Sequence, residues 1–170
     1  MFDTAYPFKF LMVKKVEGEP YFALHRFTFR CKNNRRYAVL LEEYEHDFFS
    51  IKFYLQSLEH SANKYQMLTN LFDAPAVINT CLNIMVEVLT KNECASFGFT
   101  GAPLEKEAIT RPTKRYRVYK RIMENLFSPE HFFHFQVPDS NAYFLINRNS
   151  GNPQEVVERI TNMLKQHYEF

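Results

Sequence analysis

Tryptophan is absent, and glycine is scarce at four residues in 170. With so little glycine, no flexible Gly/Ser-rich linker divides the chain, and no internal repeat or low-complexity tract appears. Cysteine is also sparse. Cys31, Cys81 and Cys94 lie far apart, and their odd number excludes a complete disulfide framework. Reduced thiols in the core of a cytoplasmic protein are the expectation. No stretch approaches the roughly 20 apolar residues that a membrane-spanning helix needs, so no membrane partner is expected. The opening Met1-Phe2-Asp3-Thr4 lacks a basic region and an apolar run, so no signal peptide is expected either. Neither sign of charge dominates: 21 Lys and Arg against 19 Asp and Glu leave a net charge of +2. Global charge therefore makes no case for nucleic acid, and any such case rests on clustering.

What is present is aromatic: 18 Phe and 10 Tyr. The length suits a single domain over 1–170, burying roughly 70% of its unfolded surface. The first half reads as strands. Phe8, Phe10 and Met12 alternate with Lys9 and Leu11, the period of a half-buried strand. A turn at Gly18-Glu19-Pro20 leads to a longer alternation from Tyr21 to Cys31. Asn33-Asn34 suits a hairpin, because Asn tolerates positive φ. Strands follow over about 36–43 and 49–55, with the reversal marked by Glu45 and Asp47.

Helical periodicity begins at Asp73, a candidate N-cap with Pro75 in the first turn. Val77, Ile78, Cys81, Leu82 and Met85 recur at three- and four-residue spacing as far as Lys91. Residues 94–101 read as a short central strand. A second helix is predicted from about Pro112 to Leu126, then strands over 132–137 and 143–147. A last helix opens at Asn152-Pro153 with Glu155 as a capping-box residue. This order predicts an α+β fold: a mixed, mostly antiparallel sheet of six or seven strands with three or four helices.

Several clusters could carry chemistry. Arg111, Lys114, Arg115, Arg117, Lys120 and Arg121 form a run with no acid. On a helix, Lys114, Arg117 and Arg121 share a face beside Tyr116, Tyr119 and Met123. That is either a phosphate site, for a cofactor or nucleic acid, or a solvated face whose cations pair with acids such as Glu42, Glu43 and Glu45. The acidic run from Glu42 to Asp47 either supplies a general base near a strand end or is an exposed turn. His131 and His134 fall on opposite faces of a strand, a poor metal pair. His25 reads as a core or edge residue. Gly98 serves either close packing or the approach of a ligand to the backbone.

The order from the second strand onward resembles the GNAT acetyltransferase superfamily. Phe97-Gly98-Phe99 is followed by a helix in which Tyr119 falls where that family has its characteristic tyrosine. In many members this residue is the general acid toward the departing thiolate of coenzyme A. The resemblance implies acyl transfer from acetyl-CoA or another acyl-CoA to an amine. Tyr119 is then the acid and one of Glu42, Glu43 or Glu45 the base. Phe99 and the basic residues Arg111, Lys114, Arg115, Arg117 and Arg121 become cofactor contacts. Two positions of the helix pattern hold Pro112 and Arg115 instead of the family's Asn and Ala. Between Leu55 and Val77, where the family holds the cofactor's pyrophosphate on a glycine loop, there is no glycine. Asp73 at the helix start would also repel phosphate. Weak coenzyme A binding is the expectation. Two other readings use the same features: a non-catalytic module that binds nucleic acid or another polyanion through the basic helix, and a homodimer joined through its aromatic strands.

Overall fold

A computed structural model of the chain describes residues 4–65, 73–100 and 112–168. Alternating apolar and polar residues give four consecutive strands: β1 (Phe8–Lys15), β2 (Ala23–Arg30), β3 (Arg36–Tyr44) and β4 (Phe48–Leu55). Helix α1 (Ala74–Lys91) leads to β5 (Ser96–Thr100), and α2 (Lys114–Leu126) leads to the pair β6 (Phe132–Val137) and β7 (Ala142–Asn147). Helix α3 (Pro153–Lys165) follows. The strands form one seven-stranded sheet in the order β1-β2-β3-β4-β5-β7-β6. Every pairing is antiparallel except β4 with β5. The fold is thus α+β with a mostly antiparallel sheet, and β5 sits inside it.

Period-two alternation sorts the side chains into two cores. Phe49 and Ile51 of β4 and Phe97 and Phe99 of β5 join α1 and α2 on one face. Phe48 of β4 and Phe144 and Ile146 of β7 join α3 on the other. The Asn147 side chain ties β7 to the start of β5, with its amide donating to the carbonyls of Glu93 (2.8 Å) and Ala95 (3.1 Å). Turn chemistry follows the sequence at two hairpins: Gly18 and Asn34 both take positive φ, at 81° and 61°.

Two expectations fail locally. Strand β1 is not half-buried: Phe10, Leu11, Met12 and Val13 are each about half exposed. It lies at the sheet edge, paired only with β2 and with a bulge between Phe10 and Met12, so side chains on both its faces meet solvent. Asp73 stands at the N-cap of α1 but does not cap it. Its backbone (φ −115°, ψ 11°) is outside the extended region that capping needs. Its carboxylate instead accepts from the Tyr6 hydroxyl at 3.2 Å. Asn152 does cap α3, accepting from the backbone N–H groups of Gln154 and Glu155. No helix among the described residues is long and apolar enough to cross a membrane.

Candidate functional site

The parallel pair β4–β5 is short. Phe48 pairs with Ser96, Phe49 with Phe97 and Ser50 with Gly98, and there the register ends. Strand β4 continues to Leu55 and β5 to Thr100, each still paired with its other neighbour. The sheet is therefore split between two interior strands, and their facing edges carry backbone groups that no ladder among the described residues takes up. The closed end is tied firmly: the Ser96 N–H donates to the Asp47 carbonyl (2.9 Å) and the Asn92 amide to the Asp47 carboxylate (2.8 Å).

A cavity of about 270 Å³ opens beside the split on the α1/α2 face, and one of about 220 Å³ on the α3 face. Ser50, Lys52, Phe99 and Thr100 line both, so the opening runs through the sheet. Phe97-Gly98-Phe99 owes its glycine to packing. A Cβ at Gly98 would stand 2.4 Å from Cζ of Phe48 and 3.1 Å from the Phe144 ring.

Helix α2 turns Tyr116, Tyr119 and Met123 inward, as the 3.6-residue period requires. Tyr119 lines the α1/α2-side cavity, with its ring centroid 6.1 Å from that of Phe99. Among the described residues its hydroxyl has no hydrogen-bond partner, yet the one enclosed unpaired side-chain atom is Oδ1 of Asp73. The Tyr119 hydroxyl therefore has open space beside it. Burial pushes its phenol up to about 12, with Arg115 pulling the other way. It holds its proton throughout the neutral range.

This shift makes a pH prediction with a fixed sign. The fold favours the neutral phenol, and an unfolded tyrosine titrates near 10. The stabilisation is complete below pH 10 and is lost as pH rises toward 12. For Tyr119 alone the loss is about 3 kcal/mol. Alkaline unfolding followed by circular dichroism should begin at higher pH in Tyr119→Phe than in the native chain. Coincident curves would mean that the phenol is not held as described.

The three candidate acids are dispersed. Glu42 is buried in β3 and accepts from Lys52 Nζ (2.7 Å) and the Tyr44 hydroxyl (2.8 Å). Through Lys52 it reaches the split. Glu43 faces the opposite side and meets His25 Nε2 at 2.6 Å. Glu45 is exposed in the turn before β4, at the closed end. None of the three lines either cavity at the split. The acidic run is thus neither a single cluster nor a single exposed turn, because β3 extends to Tyr44 and alternation divides it.

The basic run divides too. Arg111 lies outside the described residues. Arg115 turns into the α1/α2-side cavity and its guanidinium donates to the Tyr65 carbonyl. Lys114, Arg117 and Arg121 are exposed on the helix face opposite Tyr119, away from the split, and Lys120 stands 3.8 Å from Glu124. The acids named as partners for these cations are engaged elsewhere, Glu42 by Lys52 and Glu43 by His25. His134 bonds the Tyr143 hydroxyl (2.6 Å) and the Phe127 carbonyl (3.0 Å), a structural role, while His131 precedes β6.

Sequence reasoning missed Lys52, Ser50 and the Tyr44–Tyr168 hydroxyl contact (3.1 Å) beside them. A signal for the first two was present. In Phe48–Leu55, Ser50 and Lys52 are the only side chains on the α3 face that interrupt a run of aromatic and aliphatic residues. No family model, curated protein or solved structure matches this chain.

Proposed function

We propose that the chain is a GNAT-like N-acyltransferase, taking an acyl group from a CoA-type thioester to an amine. The observation that carries this reading is the split between β4 and β5. An extended, amide-containing thioester arm laid in it can bond to the free strand edges, much as an added strand would. The thioester carbonyl then lies between the two cavities.

The amine attacks that carbonyl, forming a C–N bond, and the collapsing intermediate breaks the C–S bond. Glu42 takes the proton from the attacking nitrogen once Lys52 shifts toward solvent. Tyr119 holds its O–H toward the departing thiolate. The burial that keeps this proton in place also makes the phenol a weak acid, so its contribution is a hydrogen bond to sulfur that solvent completes.

With no glycine between Leu55 and Val77, backbone N–H groups cannot easily wrap a pyrophosphate. Binding of acetyl-CoA at physiological salt should be weak, with Kd above roughly 100 μM, or about −5.5 kcal/mol. In NMR titrations at millimolar ligand, acetyl-CoA should shift the amides of Ser50–Phe53 and Gly98–Thr100. Shifts confined to the outer face of α2 would instead favour a polyanion-binding module, for which the exposed Lys114, Arg117 and Arg121 are the supporting observation. A concentration-dependent dimer whose formation is abolished by Val13→Lys would favour an interaction protein that pairs through the exposed apolar residues of β1.

A further inference from the structure

From Pro20 to Leu41 the chain contains no acidic residue. Arg26 within that stretch is paired with Glu59 (2.8 Å). Arg30, Lys32, Arg35 and Arg36 gather at the β2–β3 hairpin, all exposed, and no carboxylate pairs with them among the described residues.

The hairpin is shaped as well as charged. Asn34 takes the left-handed conformation (φ 61°), and Arg30 donates to both its carbonyl and its side-chain oxygen at 3.1 Å. The guanidinium is thereby fixed beside Arg35 and Arg36. These residues form one wall of an open depression of about 760 Å³, and Leu55, Gln56, Ser57 and Leu58 form the other. Leu55 is the last residue of β4, so the depression lies at the end where the split opens. From Lys52 in the split to Gln56 is about 13 Å along the strand.

Other anion sites near the split are less suitable. The start of α1 is occupied by the buried carboxylate of Asp73. The exposed cations of α2 point away from Tyr119 and the split.

We propose that this depression binds the phosphorylated ribonucleotide head of the thioester donor, using arginine side chains where a glycine loop is missing. The assignment rests on the acyl-transfer reading. The neutral arm lies in the split, and the polyanionic head turns onto the hairpin. Guanidinium groups meet phosphate oxygens in paired hydrogen bonds, and Gln56 and Ser57 add neutral donors. Because the cations are exposed, the contact weakens steeply with salt.

Two probes separate the parts. Adenosine 3′,5′-bisphosphate carries the phosphates without the arm, and S-acetylpantetheine carries the arm without the nucleotide. At low salt, the bisphosphate should shift the amides of residues 30–36 and 55–58. Its affinity should fall at least tenfold in R30Q/R35Q/R36Q and stay unchanged in K114Q/R117Q/R121Q. Should the first variant lose its fold, R35Q/R36Q keeps the Arg30–Asn34 bonds and should still lose severalfold. Equal affinity in native and hairpin variants, or loss only in the α2 variant, overturns the inference. If S-acetylpantetheine shifts the split while the bisphosphate ignores the hairpin, the head site is wrong and acyl transfer stands. If S-acetylpantetheine leaves the split unperturbed, the acyl-transfer reading falls, and the donor assignment falls with it.

Discussion

On the acyl-transfer reading, Tyr119→Phe should lower turnover by about 10²–10³, the range expected when one hydrogen-bond donor to developing charge is removed, and change KM little. The substitution removes one oxygen and keeps the ring against Phe99, 6.1 Å away. No hydrogen bond among the described residues is lost with it, so the thermal midpoint at neutral pH should move by only a degree or two. That pairing of a large kinetic effect with a small structural one distinguishes a hydrogen-bond donor to the leaving group from a packing residue. Tyr116, one turn earlier on the same buried face, supplies the contrast. Its hydroxyl bonds Gln136 at 3.3 Å and does not line the cavity, so Tyr116→Phe should leave turnover unchanged. Steady-state kinetics of the two variants with acetyl-CoA and a panel of amines is the measurement. Equal turnover in native and Tyr119→Phe proteins would remove Tyr119 from the mechanism.

Gly98→Ala should destabilise the fold by forcing a methyl group into the closed interior of the sheet. The new carbon would meet the Phe48 ring at 2.4 Å and the Phe144 ring at 3.1 Å. Both are ring atoms of buried side chains, so neither yields easily. Overpacking of this kind costs about 1–3 kcal/mol. For a chain of this size, that lowers the thermal midpoint by about 2–12 °C. Gly98 is also the last residue of β5 in register with β4, so a displaced Phe48 would press into the cavity on the α3 face. Phe48→Leu in the same chain should recover part of the loss. An unchanged midpoint in Gly98→Ala would mean that the Phe48 and Phe144 rings yield at no cost, against this expectation.

Much of this architecture was legible residue by residue. The alternation in β2 and β4, the Asn152 cap and the 3.6-residue stripe of α1 are local patterns, and local patterns survive folding. The inward turn of Tyr119 was legible for the same reason, from its spacing to Tyr116 and Met123. The split was not. It depends on where two strands 48 residues apart cease to pair (Ser50 with Gly98), and no short window of sequence encodes that. The burial of Glu42 was hidden because the run Glu42–Asp47 reads as polar turn. Only the register of β3 with β4 shows that its first residue is buried against Lys52. The alternation of β1 gave the right element and the wrong burial, because periodicity does not reveal that a strand has a neighbour on one side alone.

The parallel junction also divides the chain by how far apart its contacts lie in sequence. Strands β1, β2 and β3 each pair with the next strand along, through short connections, so their loop-closure cost is small. Pairing β4 with β5 joins residues 48 apart, and the cost of closing that loop is recovered through three residue pairs and the packing of α1. The N-terminal meander can therefore assemble before the C-terminal strands arrive, and the candidate site forms at the boundary between an early and a late folding unit. Pulse-labelled hydrogen exchange during refolding should protect Phe27, Val39 and Leu41 before Phe97 and Leu145, and simultaneous protection would contradict that order. A cleft placed there joins two units that need not move as one, so a ligand bridging Lys52 and Thr100 would also act as a clasp between them.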